Sequence, residues 1–287
     1  MPRPAPPVNA RLDGRTVVVT GASAGIGAAA ARRLAAMGAT VAVVGRSPEK
    51  TAAVAEAIGA RSHLADFARL DDVRALAAEL LETYPRIDVL ANNAGGLFAR
   101  RRTTVDGHEM TMQVNHLAPF LLTVLLFGRL AEAPDARVVS TGSMAYRAGR
   151  IDLDDLDGER RRYNPAAAYS ASKLATVLFT RELARRAEGT AVTAAAFHPG
   201  SVATEVARDN ALTGYLLGTG LARLLFASPE QGAEPLVRLV AAADPRAADG
   251  AYFNRLEREA PRNRQARDGE LARRLWERSE ALTGASL

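Results

Sequence analysis

Apolar and polar positions along this chain follow two periods that take turns. Runs of β-branched or other apolar residues occur at Thr16-Val17-Val18-Val19-Thr20, Thr40-Val41-Ala42-Val43-Val44, Ile87 to Ala91 (broken by Asp88), Arg137-Val138-Val139-Ser140 and Val192 to Phe197, and the alternation of elements adds a strand at Arg61 to Leu64. Such runs read as strands buried on both faces. Between them apolar residues recur every three or four positions, as in Ile26, Ala30, Leu34 and Met37, and later in Leu174, Val177, Leu178 and Leu183. That spacing predicts helices after the first strand, from about Asp71 to Tyr84, from about Asp106 to Leu130, and around Tyr169. Gly38 is a stop signal, and Ser47-Pro48-Glu49 reads as a helix N-cap, an N1 proline and a first-turn acid. Repeated strand–helix–strand units predict an α/β fold of Rossmann type, a doubly wound parallel sheet with helices on both faces and ligands beyond the carboxyl ends of its strands.

No glycine/serine linker divides the 287 residues, so residues 12–287 are expected to form a single domain behind a disordered, proline-rich leader at 1–11. The segment at about 201–230, with Leu212, Tyr215, Leu221 and Phe226, is apolar enough to act as a lid lining a substrate pocket, and the same stripe would also suit ordinary core or a subunit interface; pocket and lid is the expectation. With no cysteine, disulfides, thiolate nucleophiles and Cys-ligated metals are excluded, which fits a reducing, cytoplasmic setting. Leu117 to Phe127, the most apolar stretch, reads as too short for a bilayer and contains Pro119, so no membrane partner is expected. The net charge of +5 brings in nucleic acid as a partner. However, the arginine runs at Arg100 to Arg102, Arg160 to Arg162 and Arg255 to Arg274 are interrupted by acids or isolated, and aromatics make up only 5% of the chain. Solvated faces without nucleic acid are the expectation.

Two stretches carry chemistry. Gly21-Ala22-Ser23-Ala24-Gly25-Ile26-Gly27 joins the first strand to the first helix; glycines there let the backbone turn tightly and approach a pyrophosphate, while the helix N-terminus supplies N–H groups to the anion. After the second strand comes Gly45-Arg46-Ser47, with no acid to bind a ribose 2′-hydroxyl and a base suited to a 2′-phosphate, which favours NADP(H) over NAD(H). In Tyr169-Ser170-Ala171-Ser172-Lys173 the phenol and ammonium lie one helical turn apart, so that Lys173 is placed to lower the tyrosine pKa. Of the 37 basic residues only Lys50 and Lys173 are lysines, and a compact, tunable charge kept at this position points to a specific use. None of the four histidines has a neighbour at ligand spacing, and no metal is expected.

Thr20-Gly21-x-x-x-Gly25-x-Gly27, Asn92-Asn93-Ala94-Gly95, Asn115, Ser143, Tyr169-x-x-x-Lys173 and Pro199-Gly200 occur together and in order. In this the chain resembles the short-chain dehydrogenase/reductase family from about Gly14 to Ala281. It looks most like the branch that contains retinol dehydrogenases, the WW-domain oxidoreductase and protochlorophyllide reductases. The resemblance implies reversible hydride transfer between a nicotinamide and a carbonyl or alcohol, with Tyr169 giving or removing the proton and Ser143 polarising the carbonyl by hydrogen bonding, and with Ser140 and Thr141 as fallback for the serine. It implies that Lys173 binds the nicotinamide ribose and that Asn115 positions a water linked to Lys173. It also implies a cofactor site made of Gly21, Ser23, Gly25, Ile26, Gly27, Arg46, Asp66, Phe67, Asn92, Ala94, Gly95, Tyr169, Lys173, Pro199, Val202 and Thr204. The expected partner is a hydrophobic small-molecule carbonyl or alcohol, with a homodimer or homotetramer as the family's usual assembly. Two alternatives stand beside this reading: reduction of a C=C bond, which the lack of cysteine disfavours, and an NADPH-sensing protein without turnover, which the complete Tyr/Lys pair disfavours. The segment from Met144 to Ala168 joins Ser143 to Tyr169 and is expected to border the substrate entrance.

Overall fold

The β-branched runs do become strands, and their alternation divides the core. The structure, a computed structural model, describes residues 3–4, 11–200 and 227–287. Its strands are β1 (Arg3–Pro4), β2 (Thr16–Thr20), β3 (Thr40–Gly45), β4 (Arg61–Leu64), β5 (Val89–Asn92), β6 (Arg137–Thr141), β7 (Thr193–His198), β8 (Ala251–Asn254) and β9 (Glu257–Glu259). They form one sheet in the order β1-β9-β8-β7-β6-β5-β2-β3-β4, parallel from β8 through β4 and antiparallel at β8-β9-β1. Chain order reverses at β2, which pairs with β3 on one side and β5 on the other. This is the switch point outside which a doubly wound sheet leaves a crevice.

Seven helices cover the sheet among the described residues: α1 (Gly25–Ala36), α2 (Pro48–Ala57), α3 (Leu70–Thr83), α4 (Met110–Ala131), α5 (Pro165–Arg186), α6 (Pro229–Val240) and α7 (Gly269–Thr283). Val17 and Val19 of β2 face a core shared with Leu34 of α1 and Leu236 of α6, whereas Val18 faces the core of Leu76 in α3 and Leu121 in α4. A third cluster joins Leu174 and Leu178 of α5 to Tyr146 and to Tyr252 of β8. Helix ends follow local chemistry: Asn164 accepts from Ala167 N with Pro165 behind it, Ser228 and Gln231 form a capping box, and Gly284 closes α7 in the left-handed region.

Several expectations need correction. Ser47 stands at the N-cap of α2 with Pro48 and Glu49 after it, but its side chain makes no cap; Thr51 Oγ1 instead donates to its carbonyl at 2.6 Å. Asp106 does not open a helix. Its carboxylate accepts from Leu70 N at 3.0 Å and Gln113 Nε2 at 2.7 Å, tying α3 to α4. The apolar stretch around Pro119 belongs to a 22-residue helix that is long enough to cross a membrane, so shortness is no argument; 67% of its most apolar window is buried within the fold. Arg3–Pro4, inside the expected disordered leader, pairs with Glu257 and Arg258 at the sheet edge, where proline is tolerated. Residues 201–226 of the expected lid, with Val202 and Thr204, lie outside the described residues, and Pro229 and Glu230 already belong to α6.

Candidate active site

The glycine turn is held from both sides. Gly21 has φ +65°, and a Cβ on it would come within 2.8 Å of the Cα of Ala94. A Cβ on Gly27 would meet Gly21 O at 2.3 Å and Asn93 Nδ2 at 2.6 Å, so the first turn of α1 can sit against β2 only without one. Thr20 Oγ1 accepts from the N–H groups of Asn93 (3.0 Å) and Ala94 (3.0 Å), and Asn93 Nδ2 donates to Thr20 O at 3.0 Å. At the start of α1, Ala24 offers no side-chain cap and the first turn holds no acid. Its positive end is therefore open to an outside anion. Ser23 stands beside Gly45, whose added Cβ would be 3.0 Å from Ser23 Cβ. Arg46 follows, exposed and with no ion pair or hydrogen bond among the described residues.

Three residues expected at a cofactor send their side chains elsewhere. Ile26 and Phe67 are 8% and 6% exposed within the two main cores, and Asn92 Nδ2 donates to Thr123 Oγ1 of α4 at 3.0 Å. Only their backbones can face the crevice. Asn93, one position on and so on the opposite face, is the side chain that clamps the turn; the period-two alternation of β5 carries that signal in the sequence. Asp66 remains half-buried, its Oδ1 accepting from Ala68 N at 3.1 Å.

At the carboxyl ends of β5 and β6 the other residues converge. Lys173 Nζ lies 5.6 Å from the Tyr169 ring centroid and donates to Thr141 O at 2.9 Å. Lys173 is buried, and burial lowers its pKa to about 8. Burial also raises the pKa of Tyr169, opposed by a hydrogen bond with Ser143. The expectation that Lys173 lowers the tyrosine pKa is thus not met here, because the ammonium is directed at a backbone carbonyl and both groups share one desolvated site. Asn115 lies in a π-helical turn of α4, Gln113–Leu117. Its Oδ1 accepts from Gly96 N at 2.8 Å, and its Nδ2 donates to Gly96 O and Ser172 Oγ, both at 2.9 Å. Ser172 Oγ in turn donates to Tyr169 O at 2.8 Å. Gly95 fits between these groups, since a Cβ there would lie 3.0 Å from Asn115 Oδ1 and 3.6 Å from Lys173 Nζ.

Of the three candidate hydroxyls, Ser143 is the one that reaches Tyr169. Ser140 is buried within β6, and Thr141 Oγ1 donates to Asn93 Oδ1 at 3.2 Å. Pro199 and Gly200 follow β7, whose last residue His198 is buried and, by burial first and the nearby Arg147 and Arg255 charges second, has its pKa lowered to about 4. The Met144–Ala168 segment docks on the loop after β5: Tyr163 OH donates to Phe98 O at 3.0 Å, Asp157 Oδ1 accepts from Glu109 N at 2.7 Å, and Arg101 Nη1 donates to Gly158 O at 2.8 Å.

Comparison with known proteins identifies the family. Residues 15–213 match the short chain dehydrogenase family. The chain is 41% identical to human retinol dehydrogenase 13 over 290 residues, 97% of this chain and 87% of that protein. It is 43% identical over 279 residues, 95% of this chain and 94% of its relative, to DnrU of Streptomyces sp. (strain C5), described as a candidate daunorubicin C-13 ketoreductase. A short chain dehydrogenase from Burkholderia cenocepacia J2315, solved in complex with NADP, superposes with a TM-score of 0.66 at 30% identity, covering 85% of this chain and 97% of that one. From the glycine turn at β2 to the Tyr169 helix and the sheet that carries them, this chain belongs to the short-chain dehydrogenase/reductase family, as an oxidoreductase acting on CH–OH and C=O groups.

Proposed function

We propose that the protein is an NADP(H)-dependent carbonyl reductase or alcohol dehydrogenase for a hydrophobic small molecule. The observation that carries this reading is the convergence of Tyr169, Ser143 and Lys173 at the carboxyl ends of β5 and β6, next to a glycine turn whose helix N-terminus is uncapped. The cradle fits a dinucleotide: Gly27 leaves the space that a Cβ would fill, and Ser23 with Arg46, exposed and unpaired among the described residues, suits a 2′-phosphate. Lys173 would hold the nicotinamide ribose, and the backbone of Asn92 to Gly95 the adenosine side. When bound, the nicotinamide supplies or accepts a hydride at C4. On the protein's side, the phenol of Tyr169, its pKa raised by burial, donates its proton to the carbonyl oxygen as negative charge develops there. The Ser143 hydroxyl donates a second hydrogen bond to the same oxygen. In the reverse direction the tyrosine takes the alcohol proton. Relatives named for retinol and for a C-13 ketone support an alcohol or ketone substrate, as does the apolar segment after Ser201.

Steady-state NADPH oxidation against a panel of ketones and aldehydes, with the wild type and Tyr169→Phe, tests the reading. The variant keeps the ring and loses only the hydroxyl, so turnover should fall by ~10²–10⁴-fold, as for a lost general acid, with NADPH affinity nearly unchanged. A variant within a few-fold of wild type, or a wild type inert on every carbonyl, refutes it.

A further inference from the structure

The serine of the site sits at the head of a short turn, and that turn is fastened by the far end of the chain. Ser143 caps the 3-10 turn Met144–Ala148, its Oγ accepting from Ala145 N at 3.2 Å and its carbonyl from Tyr146 N at 3.1 Å. On one side the turn lies against α5 next to Tyr169: a Cβ on Gly149 would be 2.3 Å from Ser170 O. On the other side it meets Glu259, the last residue of β9, and the stretch after it as far as Gln265. Asn263 Nδ2 lies within 3.0 Å of Tyr146 O, 3.1 Å of Arg147 O and 2.8 Å of Gly149 O. Gln265 brackets Ile151, accepting from its N–H and donating to its carbonyl, each at 2.9 Å. Arg147 Nη2 donates to both oxygens of Glu259 (2.9 and 2.7 Å), and Tyr146 OH donates to the same carboxylate at 3.1 Å while accepting from Arg262 N at 3.1 Å.

A tight turn satisfies few of its own carbonyls, and those left over need partners. Here one amide with two hydrogens meets three of them, an arrangement that fixes the turn's end rather than merely touching it. The serine is pinned between the helix that carries Tyr169 and a segment from the far end of the chain. From this geometry we infer that Asn263, seconded by Gln265 and the Glu259–Arg147 pair, is a positioning residue that holds the Ser143 hydroxyl at the distance from Tyr169 needed for carbonyl activation. The inference rests on the role proposed above for Ser143. Asn263 acts only through Ser143 and reaches neither substrate nor cofactor.

A double-mutant cycle in the full-length enzyme separates this from a general structural role. Asn263→Ala should lower kcat for a ketone that the wild type reduces by about 10- to 100-fold, the order expected when a reacting group drifts by about an ångström. The NADPH dissociation constant should stay within about twofold. Asn263→Asp, equal in size but with no donor to offer the three carbonyls, should cost more. In a Ser143→Ala background, Asn263→Ala should cost less than about twofold further. The same loss in both backgrounds, or no loss in either, overturns the inference while leaving the role of Ser143 intact. If Ser143→Ala itself costs nothing, the assignment of the serine fails and the positioning role with it. Should Asn263→Ala not fold, Gln265→Ala, which leaves the amide clamp in place, runs through the same cycle with the same readings.

Discussion

Replacing Lys173 by methionine should abolish turnover and yet make the ligand-free protein more stable at neutral pH. The ammonium is 6% exposed, and its pKa falls from 10.5 to about 8 because burial disfavours the charged form. At pH 7 the lysine is protonated in both the folded and the unfolded chain, so the folded state carries the whole cost of desolvating the charge. At ~1.36 kcal/mol per tenfold change in proton affinity, that cost is about 3 kcal/mol. As pH rises past 8 the folded lysine loses its proton before the unfolded one does; the unfolded chain then binds more protons, and stability rises until about 10.5. Between pH 7.5 and 9.5 the wild type should therefore gain about 2 kcal/mol relative to Lys173→Met. Methionine is close in length and brings no charge, though it leaves Thr141 O without its 2.9 Å donor, which returns ~1 kcal/mol of the gain. A net gain of about 2 kcal/mol at pH 7 is the expectation. Urea unfolding of both proteins at a series of pH values measures it, and the difference between them cancels every other titrating group. A variant less stable than wild type at pH 7, or a difference that does not shrink towards pH 9.5, refutes the reasoning.

Other changes follow from the same site. Arg46→Asp exchanges an exposed cation for an acid, and the ratio of kcat/KM for NADPH over that for NADH should drop steeply; an unchanged ratio places the 2′-phosphate elsewhere. Gly27→Ala puts a methyl 2.3 Å from Gly21 O, so α1 must retreat by about an ångström, at ~1–3 kcal/mol of overpacking. NADPH affinity measured by fluorescence titration should fall at least tenfold, and retained affinity speaks against the turn as the cofactor cradle. Replacing Arg160, Arg161 and Arg162 with alanine should change KM or kcat for the carbonyl while the NADPH dissociation constant holds within about twofold, since their segment docks on the loop after β5 and links Ser143 to Tyr169. Equal loss of NADPH affinity moves those arginines to the cofactor, and no change in either makes them surface.

Period and turn chemistry made most of the sheet around the glycine turn legible in the sequence, because β2, β3 and β5 are mostly buried apolar runs, whereas β4, Arg61-Ser62-His63-Leu64, is polar and largely exposed. The edge beyond β7 was not legible. Glu257–Glu259 is polar throughout, with no apolar pattern to mark a strand, Pro235 interrupts the helical pattern of α6, and in α7 the apolar face of Ala272, Leu275 and Trp276 is spread thinly among arginines and glutamates. Motifs located Tyr169, Lys173, Ser143 and Asn115, but spacing says which residues are neighbours and not what their polar atoms face. Lys173 pointing at Thr141 O, and Asn115 engaged by Gly96 and Ser172, are tertiary facts. Asn263 and Gln265 leave no trace in the sequence because a single amide in a polar loop has no period.

The order of strands in the sheet has a consequence for biosynthesis. The four strands β4, β3, β2 and β5 are all encoded before residue 93 and are neighbours in the finished sheet, so the half that would cradle a dinucleotide can assemble while the remainder is still being translated. The turn that carries Ser143 cannot. Its carbonyls wait more than a hundred residues for Asn263 and Gln265. A nascent chain can thus form the glycine-turn side of the sheet long before the turn behind Ser143 finds its partners, which arrive only once residues 263–265 have been translated.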